Sequence, residues 1–588
     1  MLLLPLALGA ASCGTPTRAA GPAREAPRVA PREQEAPLPP PPEALAAMLR
    51  TIPLVARESS RGINPGQHAL AVAVQSFGAT AVPYVIELLR DDDPRVRHLA
   101  QYIVRDLKGL EAKHLDALVA TMADNGGWVP PALARIGTPQ AIEALVDHLR
   151  RHPQSETQVT FALAGLGGRA AVPLAHLFDG KAPVRSELAD AICGIFRSMA
   201  KNATPAIDIL MARARTAGGP AENRADAIMA IGCIGPVAGG ANVALAALAT
   251  QPELSRSVEA ALVAIEAPQA VGILSERLRR SPDIGDLVTL AWMGERAGAA
   301  APAVAALLRA PDREVRGAAA RALGFLRSNV NASALVALLA DQEDWRLPQA
   351  ASESLGRLGV VAALPELERL ASTHWYPPVR QSARRAIEVL RGRERYPTGT
   401  SRAMFGMEFF GYLIEAPAHS KRPRIVPGPN ELGPNERKAL RYVVPQLEAE
   451  GDDATTRTPE EQVPDVGLKL ADGFLVGADR GEFGGELMHM DASKGSPTQL
   501  LGENIVGIHE TTIGIVIATG LSHMAFNRGA LYVARRAGPG KYEVTYWKTL
   551  PGAPRASGLT ADGALFVSCE GGDILVKGSR IEMAGAAP

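Results

Sequence analysis

From about residue 43 to residue 392, apolar residues recur at helical spacing, and the pattern itself repeats. A small or polar turn residue precedes an apolar run such as AVPYVIELL at 81–89. Comparable starts fall at Gly78, Gly109, Gly137, Gly167, Asn202, Gly235, Ala267, Gly298, Asn329 and Gly359. The steps between them are 31, 28, 30, 35, 33, 32, 31, 31 and 30 residues. A unit of that length holds two short helices and cannot bury its apolar face alone. Neighbours must therefore stack, and the array becomes a solenoid. Between about 200 and 290 the pattern is looser. At Tyr396-Pro397 the helical period stops. Residues 396–465 read as an irregular linker, with one short helix expected over 436–450.

From 466 to 588 the period becomes two. Eight short strands are expected, at 473–479, 485–491, 504–510, 514–520, 529–536, 542–548, 563–569 and 572–578. GPG at 538–540 and EGGD at 570–573 mark hairpin turns. Gly-x-Leu-x-Val, at Gly529 and Gly563 and loosely at Gly473, looks like a strand of a β-propeller blade. Eight strands fill only about two blades, and a closed propeller needs at least four. The expected fold is thus mainly α, with a helical solenoid over 43–395. A small all-β domain follows over 466–588, as a β-sandwich or a partial propeller-like meander.

The helical residues resemble HEAT repeats, in particular the short bacterial HEAT-like type. GTPQAIEALVDHL (137–149), GAAAPAVAALL (298–308) and GVVAALPELERL (359–370) look like the second helix of such a unit. DDDPRVRHLAQYIV (91–104), PDREVRGAAARALGFL (311–326) and PPVRQSARRAIEVL (377–390) look like the loop and first helix. A Val-Arg pair recurs at Arg97, Arg185, Arg316 and Arg380. The resemblance implies that Asp and Arg at this turn form a ladder along the stack. Asp92, Asp93 and Asp312 are the candidate acceptors, since arginine matches a carboxylate bidentately. It also implies a long surface suited to an extended protein or peptide partner. Some HEAT-like proteins are enzymes. One branch binds di-iron through His-Glu pairs, but the array here has no His-Glu dipeptide.

The chain begins with a short apolar run, LLLPLALGAA at 2–11, too short to span a membrane. It reads as a signal segment over 1–13. Ala10-Ala11-Ser12-Cys13 resembles the lipobox of bacterial lipoproteins, which implies lipidation of Cys13. Residues 14–42 hold nine prolines in 29 positions and read as an extended tether. The expected location is therefore exported, lipid-anchored to a membrane of the cell envelope.

Lys+Arg and Asp+Glu are both 62, so the chain lacks the basic excess of most nucleic-acid binders. Arginine outnumbers lysine 51 to 11, which with abundant Ala, Gly and Pro suggests a GC-rich bacterial genome. Four cysteines, at 13, 193, 233 and 569, form no C-x-x-C. Cys193 and Cys233 lie in apolar helical contexts and read as small buried hydrophobes. GLGGRA at 165–170 fits a dinucleotide-loop pattern, but a helix precedes it, so it reads as an inter-helix turn. No cofactor is expected. The leading function is a non-enzymatic interaction scaffold. The alternative places an enzymatic or ligand site in the β-region, where His489, Asp491, His509, Glu510 and His523 are the candidate groups. His374-Trp375-Tyr376 in the last repeat's turn reads as a solenoid cap or a partner anchor.

Overall fold

The computed structural model describes residue 44 and residues 65–585, apart from 123–126, 155–156, 217–219, 329–331, 398–404, 406–408, 410–422, 444–460, 492–496 and 524–525. Cys13, the signal segment over 1–13 and the Pro-rich stretch over 14–42 lie outside the described residues. The chain divides into two compact units, Met1–Pro173 and Leu174–Pro588.

Short helices fill the first unit and the second as far as Leu390, followed by antiparallel strands. The helices start where the sequence supplies caps. Asp93, Thr138, Asp283 and Asp312 each accept a main-chain N–H of the following turn, and prolines at 94 and 139 take the first helical position. They end on positive-φ residues at a regular step: Gly78, Gly109, Gly137, Gly167, Ala200, Gly235, Glu266, Gly294, Arg327, Gly359 and Gly392. The sequence-read starts at Asn202, Ala267, Gly298 and Asn329 are thereby displaced to Ala200, Glu266, Gly294 and Arg327. A search for glycine misses three of these because the side chain there is not glycine. Ala200, at φ 47° and ψ −120°, adopts a conformation that Gly294 takes at φ 62° and ψ −138°. Ala200→Gly should relieve that strain and raise stability by about 1 kcal/mol in urea denaturation.

In the second unit alternate helices stack, Ser186–Met199 on Ala221–Ile234 and that on Pro252–Ala264, then Ile284–Met293 on Arg313–Leu326, that on Arg346–Leu358 and that on Pro377–Leu390. Small residues set their spacing. A Cβ at Gly324 would lie 2.8 Å from the Ser354 Cα, and one at Gly356 would lie 3.1 Å from the Ala386 Cα. Gly324→Ala must push the helices Arg313–Leu326 and Arg346–Leu358 apart. A loss of about 1–3 kcal/mol is expected, read as a lower urea midpoint.

The strands form three four-stranded antiparallel meanders. The first is β4 (Val466–Leu470), β5 (Gly473–Asp479), β6 (Gly485–Asp491) and β7 (Thr498–Leu501). The second is β8 (Ile505–Thr511), β9 (Gly514–His523), β10 (Phe526–Gly538) and β11 (Lys541–Thr549). The third is β12 (Pro554–Thr560), β13 (Leu565–Cys569), β14 (Gly572–Lys577) and β15 (Arg580–Met583). A short β1 (Ile425–Val426) adds to β12, and Leu432 N–H donates to the Gly467 carbonyl of β4 at 2.9 Å. Residues 425–432 thus join the first and third sheets. The eight expected strands are all present, and β4, β7, β12 and β15 are additional. β4, β7 and β15 end their sheets, while β12 lies between β1 and β13. β12 reads PRASGLT and β7 TQLL, so neither alternates polar with apolar clearly enough to be read.

The linker differs from its expected form. A helix runs over Pro434–Ala439, Tyr442–Val443 (β2) pairs with Glu461–Gln462 (β3), and residues 444–450 of the expected helix over 436–450 lie outside the described residues. Val443 and Val444 are β-branched and lead into Pro445, which disfavours helix at the preceding residue.

Candidate interaction surfaces of the repeats

The Val-Arg arginines share one geometry. Arg97 Nη1 donates to the carbonyls of Asp91 and Asp92 at 2.8 and 3.0 Å. Arg316 does the same to Ala310 and Pro311 at 2.6 and 3.0 Å, and Arg380 to His374 and Trp375 at 2.6 and 3.0 Å. Each thus folds back and clamps the turn before its own helix. The aspartates read as ladder acceptors also serve their own turns. Asp93 and Asp312 cap the next helix, while Asp92 contributes a main-chain carbonyl. Charge pairs do cross from turn to turn, one residue further on. Arg313 meets Glu343 at 2.7 Å, and Arg346 meets Glu314 at 3.4 Å. Arg185 departs from the clamp pattern, standing at the N-cap of Ser186–Met199 without a side-chain capping bond. Its turn is held by Asn223 of the next repeat. That fully buried amide accepts from Val184 N–H at 2.8 Å and donates to the Gly180 and Ala182 carbonyls at 3.0 and 2.9 Å.

Three successive turns of the second unit, at 310–314, 343–346 and 374–376, form a platform for the β-sheets. Trp345 Nε1 donates to the Leu550 carbonyl at 3.0 Å, and Thr549 N–H to the Glu343 carbonyl at 2.8 Å. The Tyr376 hydroxyl donates to the Gly571 carbonyl at 3.1 Å. Arg313 lies 3.6 Å over the Tyr546 ring, and Arg528 meets Glu314 at 3.0 Å. Asp344, with no exposed side-chain surface, holds Arg346 through both carboxylate oxygens. His374-Trp375-Tyr376 is therefore an anchor within this chain. His374 and Tyr376 are buried, and burial pushes the His374 imidazole down to about 4.

The other ends of the same helices carry an aromatic groove. Phe405 meets Trp292 edge-on at 5.2 Å and Phe325 at 4.9 Å, and Phe409 stacks on Phe325 at 6.2 Å. Both phenylalanines are buried. A cavity of about 560 Å³ adjoins them, lined by Trp292, Phe325, Arg357 and Tyr396 among others. Arg357 lies over the Phe325 and Tyr396 rings at 4.2 and 4.3 Å. The sequence placed both phenylalanines only within an irregular linker, 396–465.

The candidate histidines of the β-region do not assemble. His489 is buried, with no partner at Nε2, and its ring centroid lies 5.0 Å from that of Tyr542. His509 Nε2 shares a hydrogen bond with Ser557 Oγ at 2.8 Å, and burial lowers its pKa. Half-buried His523 meets Glu482 at 2.9 Å, and Glu510 accepts from Asn430 at 2.7 Å. Asp491 lies at the 538–540 turn, its Oδ2 2.8 Å from where a Gly540 Cβ would sit. Among the described residues, no three His, Cys, Asp or Glu side chains are placed to share a metal ion. A cleft of about 870 Å³ between the first two meanders is lined by Lys469, Glu510, Arg535, Arg536 and Tyr542 among others. Of the cysteines, Cys569 is fully buried. Cys193 and Cys233, expected as buried thiols, are instead half-buried and joined as a disulfide between neighbouring helices. Spacing in sequence could not show that the two helices are adjacent. Among the described residues, no single helix is long and apolar enough to cross a membrane.

Residues 300–388 match the family model for HEAT repeats. A search of curated proteins found no match. Among solved structures, importin beta in an ammonium sulfate condition is similar at 14% identity and a TM-score of 0.35, over 63% of this chain and 59% of that one. A structure from work on a phosphorylation switch between cadherin and beta-catenin gives 14% identity and 0.24, over 60% and 95%. Human deoxyhypusine hydroxylase in complex with glycerol gives 22% and 0.19, over 44% and 99%. Scores this low carry no argument about activity. The fold is a mainly helical HEAT-like solenoid followed by C-terminal antiparallel sheets, an architecture typical of protein-interaction scaffolds.

Proposed function

We propose that this chain is a non-enzymatic scaffold that binds protein partners along its repeats at the bacterial cell envelope. The supporting observation is the stacked helical array itself, whose polar and apolar faces offer a surface spread over many units. Envelope location is supported by the apolar leader, the lipobox-like Ala10-Ala11-Ser12-Cys13 and the Pro-rich stretch that follows. The Cys193–Cys233 bond adds support, because disulfides persist mainly outside the cytosol. The test is a cross-linked pull-down of the native protein from its own cells, read by mass spectrometry. Reproducible cross-links from a partner to residues 67–390 are expected. Recovery of intact bait without a partner sinks the scaffold reading. Metabolic labelling with an alkyne fatty acid, lost in Cys13→Ala, tests the anchor separately.

The alternative, a ligand site in the β-region, is favoured by the cleft at Lys469, Arg535 and Arg536. Such a ligand would be anionic. Calorimetric titration with small polyanions checks it, with Lys469→Glu as the control.

A further inference from the structure

The disulfide joins consecutive helices of the array, Ser186–Met199 and Ala221–Ile234. The two Cα atoms lie 5.3 Å apart, within the ordinary range for a disulfide. Both residues are half-buried, so the bond lies near the surface of the array.

The two sulfurs have different neighbours. Arg197 Nη2 lies 3.8 Å from Cys233 Sγ. Asp190 lies three positions before Cys193 and Asp226 seven before Cys233, on the two helices the bond joins. Burial, and then the charges of Asp190 and Glu222, push the Asp226 carboxyl up. A cation beside a sulfur favours the thiolate. Cys233 also lies in the last turn of its helix, whose terminal carbonyls carry about half a negative charge. A full positive charge at 3.8 Å outweighs that half-charge, which is spread over the whole last turn.

We propose that Cys193 and Cys233 form a thiol–disulfide exchange site, in which Cys233 is the attacking sulfur and Cys193 the resolving one. The co-reactant is the disulfide of a dithiol oxidoreductase. The Cys233 thiolate attacks one sulfur of that disulfide, forms a mixed disulfide and expels the other sulfur as a thiolate. Cys193 gives up its proton to water and attacks the Cys233 sulfur, expelling the second thiolate of the co-reactant. Two thiols are oxidised, and the co-reactant is reduced to a dithiol after taking up two protons. Arg197 acts as a positioning residue that stabilises the attacking thiolate. The inference stands on the cysteine pair and its neighbours, independently of whether the repeats bind a partner.

Single-cysteine variants of the full chain test it. Cys193→Ala leaves Cys233, and Cys233→Ala leaves Cys193. Each is mixed with glutathione disulfide at pH 7, and mixed-disulfide formation at that position is followed by peptide mass spectrometry. Cys233 should react at least about tenfold faster than Cys193. Arg197→Gln should slow Cys233 and raise its apparent thiol pKa, and Arg197→Lys should restore most of the rate. Equal rates at the two cysteines overturn the proposal, as does a Cys233 rate indifferent to Arg197→Gln. If a single-cysteine variant does not fold, Arg197→Gln and Arg197→Lys are compared in the two-cysteine chain, by the rate of disulfide closure after reduction. Labelling of both cysteines by iodoacetamide in unreduced native protein overturns the disulfide itself.

Discussion

Asp344→Ala is expected to destabilise the second unit by about 3–5 kcal/mol, the usual cost of stranding one charge of a buried ion pair. The Asp344 side chain is wholly buried, and Arg346 meets it through Nε and Nη2 at 2.9 and 2.7 Å. Removing the carboxylate leaves the guanidinium with Glu314 at 3.4 Å as its remaining charged partner. The loss should spread, because the same turn holds Glu343 against Thr549 and Trp345 against Leu550. The expected signature is a lower urea midpoint together with a change in tryptophan emission from Trp345 and Trp547. A double variant, Asp344→Leu with Arg346→Met, removes both charges and should recover much of the loss. A change of under about 1 kcal/mol for Asp344→Ala would show that the apolar contacts hold the sheets by themselves. The pH dependence has a defined sign. Burial alone would raise the Asp344 carboxyl, but hydrogen bonds and charge from Arg346 more than offset this and hold it below the usual carboxylate range. Its contribution is present above the unfolded value, about 3.9. It is lost as pH falls through the folded one.

The parts legible in the sequence were those fixed by local period. The repeat step was readable because a positive-φ residue closes each unit, and glycine usually occupies it. Ala200, Glu266 and Arg327 evaded that reading by adopting a positive φ with a side chain attached. Eight of the twelve meander strands were readable because they alternate, while β7 and β12 do not. Long-range pairing was not readable at all. Nothing local to His374-Trp375-Tyr376 says that Gly571 will accept the tyrosine hydroxyl 195 positions away. Likewise, the arginine of each Val-Arg pair was visible, but the choice between a neighbour's carboxylate and its own turn's carbonyls depends on a rotamer. Arg97, Arg316 and Arg380 all bond the carbonyls of their own turns. Phe405 and Phe409 carried a signal, two aromatics four apart, that matches one face of a helix.

Reducing the Cys193–Cys233 bond is expected to cost about 4 kcal/mol, from chain entropy for a loop of that length. The 40-position separation sets the magnitude, and the location sets where the loss falls. The bond lies in the stretch where the repeat pattern loosens and where Arg185 stands at the helix N-cap without a side-chain capping bond. There the turn at 180–184 hangs on one buried amide, Asn223, carried by the same helix as Cys233. Cutting the covalent link leaves that amide and the apolar packing around Ile192, Phe196 and Ile231 to keep the two helices in register. Hydrogen exchange should therefore rise first in 180–234 on reduction, ahead of the helices after 284. Asn223→Ala should add to the loss by less than the sum of the separate effects, since both act on one contact. A reduced protein with an unchanged denaturation midpoint would mean that packing alone fixes this stretch. The bond would then owe its place to exchange chemistry rather than to stability.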